Sequence, residues 1–68
     1  MPINPKQARV TLGLNQAQMS KVMGVHRQTW VKWERGEQGI TAAPKRLLRV
    51  LLWLKSKGML AEYLELFK

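Results

Sequence analysis

Among side chains able to do chemistry, this sequence is rich in one kind only. Twelve Lys and Arg face four acids, all of them Glu, for a formal charge of +8 over 68 residues. There is one His, His26, and no Cys. Disulfide staples, thiolate metal sites and multi-histidine zinc sites are therefore excluded, and the redox compartment is left open. The two Ser, Ser20 and Ser56, sit in no nucleophile motif. His26 has no acid near it in sequence, and Glu62 with Glu65 falls on an amphipathic end segment. No glycine-rich phosphate cradle is present. The expectation is a protein that is not an enzyme, with no metal, no cofactor and no evident small-molecule ligand. What twelve cations can do is hold an anionic partner, either nucleic acid or an acidic membrane surface. The third reading is a surface charged only for solubility. The cations are spread along the chain and do not form one dense run, which counts against a membrane.

Their distribution carries information of its own. No acid precedes Glu34, while Lys6, Arg9, Lys21, Arg27 and Lys32 do. Residues 1–57 carry +9 and the last eleven carry −1. This asymmetry suggests a basic working body and a tail employed differently. The length suits one small domain, and a hydrophobic share of 46% makes a packed core plausible. Pairing with a second copy would help so short a chain. The longest nearly apolar run, Leu47 to Leu54, is broken by Arg49 and falls far short of the roughly 20 residues of a membrane span. Pro2, Asn4, Pro5 and Lys6 stand where a signal peptide would be apolar, so none is expected. Repeats and linkers are absent, so residues 1–68 read as a single domain, with 59–68 a C-terminal helix available for dimerisation.

The elements that must position these cations can be marked off by their caps. Asn4 serves as an N-cap before Pro5, with Gln7 three residues on, and Gly13 stops that helix after Leu12. Asn15 opens a second helix, closed into a capping box by Gln18 and stapled by Leu14 and Met19. It carries Met19, Val22 and Met23 on one side and ends at Gly24. A third helix runs from Arg27 to Arg35 and stops at Gly36. Thr29 and Val31 are β-branched, so a strand competes there, but Trp30 and Trp33 at i and i+3 favour helix. Glu37 to Ala43 reads as a loop. Pro44 starts a fourth helix reaching Lys57, apolar around most of its circumference and hence expected at the centre of the core. After Gly58, Met59 to Phe67 forms a last short helix. The fold class is all-α.

Gln16 to Arg35 meets the requirements of a helix-turn-helix. Ser20 supplies a small residue midway along the first helix, where the second must cross. Gly24 permits positive φ in the turn. Met19, Met23, Val25, Trp30 and Trp33 are spaced to pin the two helices together. In such a unit the exposed N-terminal residues of the second helix reach base edges in the major groove.

The segment Leu12-Gly13-Leu14-Asn15-Gln16-Ala17-Gln18-Met19-Ser20, followed by Gly24-Val25 and Trp33-Glu34-Arg35-Gly36, resembles the Cro and phage-repressor (XRE-type) family of helix-turn-helix regulators. The resemblance covers roughly residues 4–55. It implies a compact, lambda-repressor-like bundle of about five short helices whose third helix enters the DNA major groove. Two departures stand out: Ser20 replaces the usual Ala, and His26 replaces the usual Ser or Thr cap of the recognition helix. Carried over by position, the base-reading residues are Arg27, Gln28 and Lys32, with Thr29, Val31 and His26 at the margin. Their chemistry agrees, since Arg and Lys donate to guanine, Gln pairs with adenine and Val meets a thymine methyl. The competing reading is an ordinary solvated helix face. Gln16 matches a family position that touches the DNA backbone, and Gln38, Lys45 and Arg46 are further phosphate candidates. Lys6 and Lys21 are weaker ones. The resemblance also sets Arg9 against Glu34 as an internal ion pair.

Met59, Leu60, Tyr63, Leu64 and Phe67 form a stripe along the tail, either packed on their own domain or serving as a homodimer seam. Single-strand binders expose aromatics for stacking, whereas Trp30, Trp33 and Trp53 fit core positions, which favours double-stranded DNA. The implied protein is a cytoplasmic, nucleoid-associated regulator in a bacterial or phage-infected cell. It would be a phage-like or mobile-element repressor binding a pseudo-palindromic operator as a homodimer, autoregulatory and either Cro-like or anti-CRISPR-associated. The alternative is the DNA-binding antitoxin, or a protein-interaction module, of a toxin–antitoxin pair.

Overall fold

The first two helices are short enough to need both ends secured, and each begins at an Asn cap and ends at a Gly. The computed structural model describes residues 4–67, with side chains to Leu66. Helix α1 spans Pro5–Leu12, with the Asn4 Oδ1 accepting from the Gln7 amide at 3.2 Å. Helix α2 spans Gln16–Met23 and begins with a complete capping box. The Gln18 amide donates to Asn15 Oδ1 at 2.7 Å, and the Asn15 amide donates to Gln18 Oε1 at 3.0 Å. Two of the amides left unpaired at a helix start are satisfied reciprocally in this way.

The turn into α3, Arg27–Arg35, is made at Gly24, whose φ of 72° suits a residue without Cβ. The Val25 amide then reaches back to the Ser20 carbonyl at 3.0 Å. Ser20 is buried, and its hydroxyl donates to the Ala17 carbonyl at 2.9 Å. A small residue midway along α2 therefore sits where the two helices pack, as the helix-turn-helix geometry requires.

Helix α4 spans Ala42–Ser56, followed by α5, Leu60–Leu64, and a 3₁₀ turn, Glu65–Phe67. Both of these helices differ at their ends from the sequence reading, which has them over Pro44 to Lys57 and Met59 to Phe67. Helix α4 starts two residues before Pro44, which takes the third helical position. A first-turn amide has no intrahelical acceptor, so a proline there forfeits no bond. The last helix, expected as one piece over 59–67, tightens to 3₁₀ after Leu64. No strand occurs among the described residues.

The core is built from Ala8 and Leu12 of α1, Met19, Val22 and Met23 of α2, Trp30 and Trp33 of α3, Leu48 and Leu51 of α4, and Leu60 of α5. Helix α4 departs from its expected role as a helix surrounded by core. Leu48 and Leu51 are fully buried and Leu47, Leu52 and Leu54 pack against them, but Val50 and Trp53 face outward. Trp53, expected in the core, is 56% exposed. It lies five positions from Leu48, which at 3.6 residues per turn is nearly the opposite side of the helix. A chain this short has too little material to surround a helix on all sides. No helix among the described residues is long and apolar enough to cross a membrane.

Candidate nucleic-acid interface

Helix α3 has two faces of opposite character. Trp30, with no exposed surface, and Trp33 turn inward with their rings edge to face at 5.8 Å. Arg27, Gln28 and Lys32 are exposed on the other side, with Thr29 and Val31 half-buried at its margins. Arg27, Gln28, Val31 and Lys32 line one shallow groove of about 250 Å³ together with Arg35 and Glu37. These are the residues the sequence singled out for base edges, and the structure brings them onto one surface. His26 is exposed at the N-cap and makes no capping bond with its side chain. The amides of the first turn of α3 are thus left without a side-chain acceptor from their cap.

The orientation of this helix is set from within by Glu34. Its Oε2 accepts from Arg9 Nε at 2.7 Å and from the indole Nε1 of Trp30. Its Oε1 accepts from Arg9 Nη2 at 3.3 Å and from Gln16 Nε2 at 3.4 Å. A third nitrogen of Arg9, Nη1, donates to the Leu14 carbonyl at 3.1 Å. One carboxylate thus joins α1, α2 and α3, and the expected Arg9–Glu34 pair is present and almost out of solvent, at 17% and 6% side-chain exposure. Burial alone pushes the Glu34 carboxyl up, but hydrogen bonds from Arg9, Trp30 and Gln16 and the charge of Arg9 outweigh it. The net shift is downward. Glu34 is therefore held ionised, and its negative charge is consumed internally.

A second depression, of about 530 Å³, opens beside this pair and is lined by Lys6, Arg9, Asn15, Gln16, Arg27, Glu34 and Arg35. Gln16, expected at a phosphate, lies here at the start of α2, with its amide also reaching Glu34. Lys6 and Arg35 join Arg27 at this opening. The sequence reading ranked Lys6 low and gave Arg35 no anion-binding role. The signal available for Arg35 was its position eight residues, just over two turns, after Arg27. Gln38, Lys45 and Arg46 are exposed but line neither depression. Of the tail stripe, Leu60 is buried in its own core, and Tyr63 and Leu64 are half-buried against it. Met59 is 45% exposed, and the Phe67 side chain lies outside the described residues. No cluster of metal-ligating side chains occurs among the described residues.

Comparison with known proteins gives one finding. A family model described as helix-turn-helix matches residues 6–50, about two thirds of the chain, from the first turn of α1 to the middle of α4. No curated protein and no solved structure matches.

Proposed function

The chain belongs to the helix-turn-helix family of DNA-binding transcription regulators, of the Cro and phage-repressor type, and from that premise we propose how it reads its target. Arg27, Gln28 and Lys32 contact base edges in the major groove, with Val31 against a thymine methyl and Thr29 and His26 at the edges of the contact. Gln16, Gln38, Lys45 and Arg46 hold phosphates on either side. The protein acts as a homodimeric repressor on a pseudo-palindromic operator, of the small phage or mobile-element kind that regulates its own operon. The observation that carries the reading is the placement of Arg27, Gln28 and Lys32 on the exposed face of α3, opposite two buried tryptophans.

Each good base contact supports roughly 1–3 kcal/mol of discrimination. Binding of Lys45→Ala and Arg46→Ala to specific and scrambled duplexes at several salt concentrations separates the two roles. Each variant is expected to weaken both duplexes alike and lower the salt slope by about one. A loss confined to the specific duplex would move these residues from the phosphate set to the base-reading set.

A further inference from the structure

The cations beside α3 favour DNA, but one side chain among them opposes it. Glu37 lines the shallow groove of α3 together with Arg27, Gln28, Val31, Lys32 and Arg35. It is the one acid in that lining, and its side chain is 53% exposed. A duplex seated on the groove brings its phosphates toward this like charge, which weakens binding to every sequence.

The fold gives the Glu37 side chain no compensating task. Glu37 follows the Gly36 that ends α3, and its amide donates to the Lys32 carbonyl at 3.0 Å. The Gly36 amide donates to the Trp33 carbonyl at 3.3 Å. These bonds close the helix end through backbone alone, so any residue other than proline at position 37 could make them. A negative charge at this end of a helix stands against the helix dipole. The ion pair of Glu37 with Arg35, at 3.8 Å, joins two largely exposed side chains and contributes little to stability. The backbone bonds do have a second effect, since they start the Glu37 side chain from a fixed point over the last turn of α3.

The chemistry of base edges supplies the task that the fold does not. A carboxylate only accepts hydrogen bonds. In the major groove guanine and thymine present acceptors, whereas cytosine presents its N4 amino donor and adenine an N6 donor beside its N7 acceptor. A carboxylate at a base edge therefore attracts cytosine, tolerates adenine and repels guanine and thymine. We propose that Glu37 is a specificity-determining residue of the DNA site. It selects cytosine at the base pair facing the C-terminal end of α3 and lowers affinity for duplexes without it. The proposal rests on the base-reading role of α3 given above. It adds a contact that the cations of the groove, Arg27, Lys32 and Arg35, cannot make, because they only donate.

Selection from a random duplex pool with the wild type, Glu37→Ala and Glu37→Gln tests this, with circular dichroism confirming that each variant is folded. The wild type is expected to show cytosine at one position near the edge of its consensus. Glu37→Ala should lose that preference by about 10-fold and keep the rest of the consensus. It should also bind a scrambled duplex about 5-fold tighter, as one repulsive charge is gone. Glu37→Gln should change the preferred base at that position to adenine, because a carboxamide both donates and accepts. A residue that served only to orient Arg35 would give no such exchange of bases. The same bases at every position in all three proteins would overturn the proposal and leave the base-reading role of α3 standing. No consensus from the wild type would overturn both.

Discussion

Helices α3 and α4 carry the three tryptophans of this chain, and they use them in opposite ways. In α3 both rings go inward, and the outer face is polar and cationic apart from the half-buried Val31. In α4 the tryptophan goes outward beside Arg49, and the core is served by leucines. The difference lies in what each helix is fixed by. Helix α3 is held by two large rings and by one carboxylate that ties it to α1 and α2, so its outer face is rigidly presented. Helix α4 is held by apolar packing on one side, and its other side, with Val50 and Trp53, is exposed. One helix is fixed by two rings and a charge, the other by leucines along a single face.

The largest effect is expected at Trp30, where replacement by Ala should cost about 3–5 kcal/mol of stability. Trp53→Ala, measured in dilute solution by urea unfolding, should stay within about 0.5 kcal/mol. Similar losses at both would mean that α4 is as deeply embedded as α3.

Next comes the tie itself. Glu34→Gln leaves the Arg9 guanidinium, at 17% exposure, without its counter-charge, and should cost about 3 kcal/mol. The same pair predicts a pH dependence. The Glu34 carboxyl is shifted below its ordinary value of 4.5. Its contribution is therefore fully present above that value and is lost as pH falls through the lower folded-state value. Urea unfolding of the wild type and Glu34→Gln across this acid range should show the gap between them closing. A constant gap would mean that the carboxylate charge contributes nothing.

The two inward rings also differ from one another. Trp30 Nε1 donates to Glu34, whereas Trp33 Nε1 is buried with no acceptor. Trp30→Phe should therefore destabilise more than Trp33→Phe, by about 1–2 kcal/mol, because only the first removes a donor from a buried charge. The smallest expected effect is at the start of α2, where Asn15→Ala removes the cap and should cost about 1 kcal/mol.

Much of this contrast was legible in the sequence, and the failures have a common cause. The α1–α3 region could be read almost to the residue, because each boundary there is written in local chemistry. Asn4, Asn15 and the glycines at 13, 24 and 36 end or begin helices through bonds to residues three to five positions away. The Arg9–Glu34 pair followed from the family resemblance. Helix α4 was misjudged where the answer depended on the rest of the molecule. Leu48 and Trp53 are both apolar residues in one run, and periodicity alone does not say which side of that run finds a neighbour. The same holds for Leu60, whose spacing suits a seam or a core equally. Arg35 reaches the opening by its spacing from Arg27 on the same helix, but its meeting there with Lys6 depends on how α1 packs against α3. Long-range placement of this kind is decided by packing and carries no local signal.

The central claim is that the outer face of α3 reads the sequence of duplex DNA. Selection from a random duplex pool, run in parallel with the wild type, Arg27→Ala and Gln28→Ala, tests it most directly. The wild type should recover a consensus, and each variant should lose preference at its own position while still retaining DNA. No consensus from the wild type, or full retention of it by both variants, would contradict the account.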